Sequence, residues 1–560
     1  MTAKMLTSMQ ERIEQWPIKP IISIVMPTYN SEEKWLREAI ESVQQQIYPH
    51  WELCIADDAS TQPHIRGILE EYAGRDSRIK VQFRTENGHI SAASNTALEM
   101  VTGEVITFLD HDDKLARAAL FWVANAIIEH PDIMLWYSDE DKLNQNGERV
   151  DPYFKPDWNP DLFLSHNYIT HLIIYRTHLL KKIEGFREGY EGAQDYDLAL
   201  RAIEQIKPEQ ISHIPRVLYH WRVTSGSTAL HGTEKPYAII AAQRAISEHF
   251  ARTGIEVRIT ESSLLPGAIR AQYQLPTNPP LVTLIIPTYN GIEVLRVCIE
   301  SVLSKTDYPN FEILIVNNNS DDPATLAYFR QLEANGQARV FDYPHPFNYP
   351  AINNAGVEQA NGELICLLNN DIEVISPDWL TEMVSHALRP EIGAVGARLW
   401  YPDDRLQHGG VIVGLGGVAG HSHKYLARHH LGYFGRIALI QNLSAVTAAC
   451  LVMRKEIYLA VGGLDAENLA VAFNDVDFCL RIKEAGWRIL WTPYAEMYHH
   501  ESASRGVENT PEKIKRFQSE CIYMKKRWGE GLLKDPAYSP NLTLDTEDFA
   551  YAWPPREPSI

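Results

Sequence analysis

Residues 102–113 read TGEVITFLDHDD, an apolar run that ends abruptly in three carboxylates, Asp110, Asp112 and Asp113, grouped around His111. Val105, Ile106, Phe108 and Leu109 have the continuous apolar character of a parallel strand covered on both faces. In open α/β sheets, ligands sit just beyond the carboxyl ends of such strands. Carboxylates gathered there repel one another unless a cation holds them, and Mg²⁺ or Mn²⁺ favours hard oxygen ligands shared with substrate phosphates. The stretch therefore predicts a metal–diphosphate site. Taken alone it fits a solvated acidic loop with a capping Asp better. Repetition reverses that preference: residues 361–371 read NGELICLLNND, and Gly103 to Asp112 and Gly362 to Asp371 both span nine positions.

Working outward, residues 21–30 (IISIVMPTYN) read as a buried strand broken at Pro27. A helix follows, with Trp35, Ala39, Ile40 and Val43 on one face. The next strand, residues 51–56, ends in Asp57, Asp58 and Ser60, and a further helix, strand and polar loop lead to the strand before Asp110. This is the β-α-β-α-β pattern of a doubly wound parallel sheet. It begins again at residues 281–290, LVTLIIPTYN: Pro27 and Pro287 are 260 positions apart, as are Asp58 and Asn318, while Asp112 and Asp371 are 259 apart. The expected organisation is a helical lead-in at 1–19, a first domain at 20–265, a linker at 266–280 containing the Pro-rich QLPTNPP, a second domain at 281–530 and a tail at 531–560.

The later part of each copy repeats as well. YEGAQDYDLALR leads to LYHWRVTSGST, and VAFNDVDFCLR leads to MYHHESASRG. Asp195 to His220 and Asp475 to His500 are both 25 residues, which pairs His500, rather than His499, with His220. Asp112 to Asp195 is 83 residues but Asp371 to Asp475 is 104, so the second copy has gained 21 in a region that includes LQHGGVIVGLGGVAGHSHK.

A chain of 560 residues is too long for one ordinary core, and the repeat selects two. The formal net charge of −20 argues against a nucleic-acid partner, which is held by Lys and Arg on phosphates. The six cysteines include no close CxxC pair and read as buried thiols in a reducing compartment. The first residues lack the apolar core of a signal peptide, and no segment has the length of a membrane span. A cytoplasmic protein is expected, with peripheral contact at the inner face of the membrane left open.

Asp195 and Asp197, and Asp475 and Asp477, each open a helix-like run. Such carboxylates often only favour the helix N-terminus, and one of each pair fits that role. The other is well placed as a general base facing the carboxyl end of the sheet. Residues 414–420, GLGGVAG, do not follow an opening βα unit and so do not make a dinucleotide fingerprint. His421, His423, His429 and His430 lie in a Gly-rich loop, and structural zinc is not expected there.

Together, PTYN, DDAS, LDHDD, QD and YHW in the first copy, and PTYN, NNNS, NNDIEV, NDVDFCLR and YHHESASRG in the second, resemble family 2 glycosyltransferases. The second copy is similar to their rhamnosyltransferase-like, O-antigen branch. The likeness covers nearly all of residues 20–530. It implies an α/β chain of two tandem GT-A domains, doubly wound and like nucleotide-diphospho-sugar transferases. It also implies a metal-dependent, inverting transfer of sugar from a nucleoside-diphosphate donor to a hydroxyl, often on a growing bacterial polysaccharide.

Carried onto this sequence, the resemblance assigns nucleotide binding to Pro27, Tyr29, Asp57, Asp58 and Asp110, and in the second copy to Pro287, Tyr289, Asn318 and Asn369. Asp110, Asp112 and His220, and Asp371 and His500, would hold Mn²⁺ or Mg²⁺. Asp195 and Asp475 would be the bases. The second copy has Asn317, Asn318 and Asn369 where the first has Asp57, Asp58 and Asp110. An amide still accepts a hydrogen bond, but its NH₂ changes what else is tolerated, so the two copies are expected to use different sugars. The implied partners are UDP- or dTDP-sugars and an oligosaccharide or lipid-linked glycan acceptor. The rival reading keeps one active domain, residues 20–265, with the second as a glycan-binding module.

Overall fold

The computed structural model describes residues 2–223, 236–501 and 510–557. The lead-in forms a helix, Ala3–Gln15, whose Met9 and Ile13 are buried against the first half. The first half has strands β1 (Ile22–Thr28), β2 (Trp51–Asp57), β3 (Ile79–Phe83), β4 (Val105–Phe108), β5 (Lys114–Leu115), β6 (Leu135–Leu143), β7 (Arg149–Tyr153), β8 (Ile173–Arg176) and β9 (Ile211–Arg222). Their order in the sheet is β3-β2-β1-β4-β8-β6-β9-β5, with β7 against β6. From β3 to β4 the pairing is parallel. The sheet then becomes mixed, because β8 runs antiparallel to both β4 and β6.

A hairpin of β10 (Val257–Glu261) and β11 (Ile269–Tyr273) follows. The second half has β12 (Val282–Thr288), β13 (Phe311–Asn317), β14 (Arg339–Asp342), β15 (Leu364–Leu368), β16 (Ile372–Val374), β17 (Ile392–Trp400), β18 (Leu406–His408), β19 (Val411–Val413), β20 (Ala419–His421), β21 (Gln441–Leu443), β22 (Cys450–Arg454) and β23 (Arg488–His499). Its main sheet runs β14-β13-β12-β15-β22-β17-β23-β16, which matches the first strand for strand.

The match extends to the bonds that fix the register. Glu52 on β2 accepts from Ser23, from the Thr102 and Gly103 amides and from Lys80. Glu312 on β13 accepts from Thr283, from the Asn361 amide and from Arg339. Each glutamate therefore ties the start of the carboxylate-bearing strand to its neighbours. Gly103 and Gly362 lie where that start crosses the adjacent strand. A Cβ there would come within 2.5 Å of the Ile21 carbonyl in the first half and 2.7 Å of the Leu281 carbonyl in the second. The repeated glycine is thus a requirement of close backbone approach. β1 is buried at every position, as its unbroken apolar run predicts.

The first part of the segment 266–280, expected as a linker, forms β11, ahead of the Pro-rich 274–280. Pairing with β10 satisfies its backbone, and Arg270 on it reaches Glu382 of the second half (2.7 Å). Further contacts join the halves. Buried Asp161 pairs with Arg389 (2.5 Å), Asn159 and Asn442 exchange hydrogen bonds, and the Tyr153 and Phe434 rings stack with centroids 4.0 Å apart. The C-terminal segment packs against both halves. Asp535 holds Ser444 and the Val413 amide, while Asn541 donates to Asp139 and to the Pro215 carbonyl. All six cysteines are free and five are buried. Among the described residues no helix is long and apolar enough to cross a membrane.

Candidate active sites

At the carboxyl end of β4 the chain turns so that the Asp110 amide and the Asp113 carboxylate meet the hydroxyl of Tyr219 on β9. That hydroxyl donates to Asp113 (2.7 Å) and lies 3.3 Å from the Asp110 amide. Burial pushes the Asp113 carboxyl well up, and the charges of Asp110 and Asp112 add to this. Burial also raises Asp110; His171 pulls it back and Asp112 adds to the rise. Carboxylates that repel one another in a low dielectric are a site lacking positive charge. His171 supplies part of it. Its ring stacks on Tyr219 (4.5 Å) and its Nδ1 is 2.9 Å from Glu140. Burial opposes the imidazolium, but Glu140, Asp110 and Asp113 outweigh it and raise its pKa to about 9.

Tyr29 and Tyr289 stand at corresponding strand ends, 44% and 54% exposed. Asp58 is fully engaged: it accepts from Arg84 (2.8 Å) and the Gly88 amide (3.0 Å) and so pins the loop between β3 and the next helix. Asn318 pins the equivalent loop by donating to the Tyr343 and His345 carbonyls. Asp57 accepts from the Ser60 amide through Oδ2, leaving Oδ1 buried without a hydrogen bond. Its counterpart Asn317 donates to Asp342 (2.8 Å), which takes the place of Phe83. The carboxylate has thus moved from one strand end to the next.

In the second half, Asp371 and His499 come together, with 3.1 Å between Oδ1 and Nε2. His499 Nδ1 is 2.6 Å from Gln407 Oε1, and the Gln407 amide donates to Glu501. The contact with Gln407 fixes the ring with its Nε2 toward Asp371 Oδ1. Burial opposes the Asp371 charge, but His499 outweighs it and the pKa is lowered. A buried carboxylate oxygen facing an imidazole oriented from behind is a donor set that fits a divalent cation. Asn369 lies beside it, its Oδ1 accepting from Tyr349 and its NH₂ 3.3 Å from His499 Nε2. Among the described residues no three His, Cys, Asp or Glu side chains close around a metal position in either half.

Two histidines expected as metal ligands lie elsewhere. Side chains alternate across a strand, so His220 faces away from Tyr219 and bonds Asp141 (2.5 Å), not Asp110 or Asp112. His500 reaches Glu373 (3.1 Å). The equal 25-residue spacing misled because the second copy is two residues shorter between helix and strand end. Strand pairing sets Lys114 opposite His220 but Glu373 opposite Tyr498. His220 therefore corresponds to Tyr498, and His499 to Trp221.

Asp195 and Asp475 open the helices Gln194–Ile203 and Asn474–Glu484. Asn167 donates to Asp195 (3.1 Å); the Ala448 and Val476 amides donate to Asp475. Burial raises both carboxyls, and His171 opposes the rise at Asp195 while Asp110 adds to it. Asp195, His171 and Asp110 thus share one electrostatic environment. Asp197 and Asp477 do the structural work of their helices, pairing with Arg187 and Arg201 and with Arg481 and Arg527. His421 faces His408, and His423 stacks on Phe549 as a core residue.

Arg84, His171, Tyr219 and Gln407 were not singled out in the sequence. The adjacent His499 was visible there as a second choice.

A family model described as "Glycosyl transferase family 2" matches residues 23–184 and 283–460. The chain is 51% identical to "Uncharacterized protein y4gI" of Sinorhizobium fredii, over 96% of this chain and 59% of that protein. It is 40% identical to "O-antigen biosynthesis protein RfbC" of Myxococcus xanthus, over 97% of this chain and 42% of that one. It thus spans about half the length of these relatives. Among solved structures, S. aureus TarS 1–349 in complex with UDP is similar at 26% identity and a TM-score of 0.34, over 42% of this chain and 67% of that one. The doubled family match and the two curled mixed sheets fit two tandem GT-A-type domains, as the sequence predicts.

Proposed function

Because the chain belongs to glycosyl transferase family 2, we propose that each half is a glycosyltransferase and that the two act in turn on one growing glycan. The observation that carries this reading is a half-buried aspartate, Asp195 or Asp475, that opens the corresponding helix of each half and is held there by Asn167 or by the Ala448 amide; burial raises both carboxyls. A base must hold a pKa above that of a solvated carboxylate to take a hydroxyl proton effectively near neutrality. In each half the acceptor oxygen would bond to the anomeric carbon as the bond to the diphosphate breaks on the opposite face. The hydroxyl proton passes to the aspartate.

Asp371 and His499 in the second half, and Asp110 and Asp112 in the first, would hold Mn²⁺ or Mg²⁺ together with diphosphate oxygens. When bound, the ion supplies Lewis-acid stabilisation of the charge on the leaving diphosphate. Tyr29 with Asp57, and Tyr289 with Asn317, would contact the nucleotide. The name of the Myxococcus relative supports an O-antigen-like polysaccharide as the product; the donors would be UDP- or dTDP-sugars and the site of action cytoplasmic. Two sites on one chain raise the effective concentration of each product for the other site.

The test is product analysis with purified protein, Mn²⁺ or Mg²⁺, a panel of nucleotide sugars and a synthetic lipid-like acceptor. Wild type is expected to form two linkages, and Asp195→Asn and Asp475→Asn to lose one each. If Asp475→Asn forms both, the second half is a glycan-binding module.

A further inference from the structure

The residues gained by the second half lie between β17 and β22, and part of them builds a wall beside the Asp371–His499 pair. β17 ends at Trp400, which is paired with Tyr498 on β23; Tyr401 therefore lies at the level of His499. From there the chain turns back into β18, and the Tyr425 amide donates to the Leu406 carbonyl (2.7 Å). This brings the Tyr401 and Tyr425 rings face to face, with centroids 5.5 Å apart and planes within 10°. Tyr425 is 51% exposed. The two rings, with Pro402, Asp403 and Arg405, line an open cavity of about 370 Å³. Gln407, which orients His499, connects this wall to Glu501.

A lone exposed tyrosine needs no explanation, but a parallel pair walling a cavity next to a transfer site does. Aromatic faces pack against the C–H face of a pyranose, and the Asp403 and Arg405 side chains at the rim can bond its hydroxyls. At the corresponding level of the first half, Lys142 sits opposite Trp221, and the chain closes in a tight turn at Asn144 and Gly147. The wall belongs to the second half alone. We propose that Tyr401 and Tyr425 form a glycan subsite of the second domain that seats a pyranose ring of the acceptor chain; its role as an acceptor subsite rests on the reading of that domain as a transferase.

The test is retention of the full-length protein on an array of bacterial and plant oligosaccharides, without donor. Wild type is expected to be retained on a subset of glycans, Tyr425→Ala to lose about tenfold of that retention, and Tyr425→Trp to restore it. Absence of retention by wild type, or equal retention by Tyr425→Ala, overturns the subsite. If Tyr425→Ala loses retention while Asp475→Asn still forms both linkages, the glycan site stands and the catalytic reading of the second domain falls.

Discussion

His499 lies 3.1 Å from Asp371 at the strand end of the second half, whereas Trp221 occupies the corresponding position in the first. The two halves thus share a fold and a first-turn aspartate, Asp195 or Asp475, but differ in what stands beside the carboxylates: His499 in one, and His171 in the other. His499→Ala is expected to abolish the second domain's linkage and its stimulation by Mn²⁺, and Gln407→Ala to weaken apparent metal affinity by about 10–100-fold. His500→Ala and His220→Ala should leave both linkages in place. Mn²⁺ titration of each linkage checks this, and an equal loss with His500→Ala would refute the assignment.

Asp195→Asn and Asp475→Asn should each lower one linkage by about 10²–10⁴-fold. Because burial raises both carboxyls, the acid limb of each pH–rate profile should fall above the ordinary Asp value of about 3.9. Activity rises with pH as the base loses its proton, and the limb disappears in the matching Asn variant. A limb that persists in Asp195→Asn would assign the base elsewhere.

Asp161 carries charge across the interface between the halves. Burial opposes its ionisation, but Arg389 and Arg488 outweigh this and lower its pKa below the ordinary carboxylate range. A depressed folded value means that its stabilisation is present above about pH 4 and is lost as pH falls through the folded pKa. Asp161→Asn leaves Arg389 buried with Glu391 as its remaining anion at 2.8 Å, which places the cost at about 3 kcal/mol. Thermal melts from pH 7 to pH 3 should show a lower Tm for the variant at neutral pH and a shallower decline on acidification. Parallel curves would show that this pair does not set the acid stability.

Arg84 is the partner that Asp58 needs in order to hold the loop after β3. Arg84→Met is expected to raise the donor KM of the first domain several-fold and to leave the second domain's linkage unchanged, since there the loop hangs from Asn318. Donor saturation curves for the two linkages separate these effects; a shift in both would show that the loop acts through overall stability.

The strands and their doubling are legible in the residues because a two-sided buried strand must be apolar throughout, and close approach of backbones must be met by glycine. Gly103 and Gly362 therefore mark the same place in both halves. The first-turn carboxylates of the two helices are legible too, since local capping chemistry recurs at fixed spacing. What the linear order misplaces is the histidine. Spacing from Asp475 selects His500, but the approach to β23 is two residues shorter than its counterpart, so Tyr498 takes the place of His220, and His499, the next residue and so on the opposite side of the strand, reaches Asp371. The sequence by itself determined the two domains, the carboxylate strand ends and the candidate bases. Only the tertiary structure brought His171, distant in sequence, against Asp110 and Asp113, oriented His499 through Gln407 and stacked Tyr401 on Tyr425. Those relationships depend on strand register and on packing between segments distant in sequence, which no local pattern encodes.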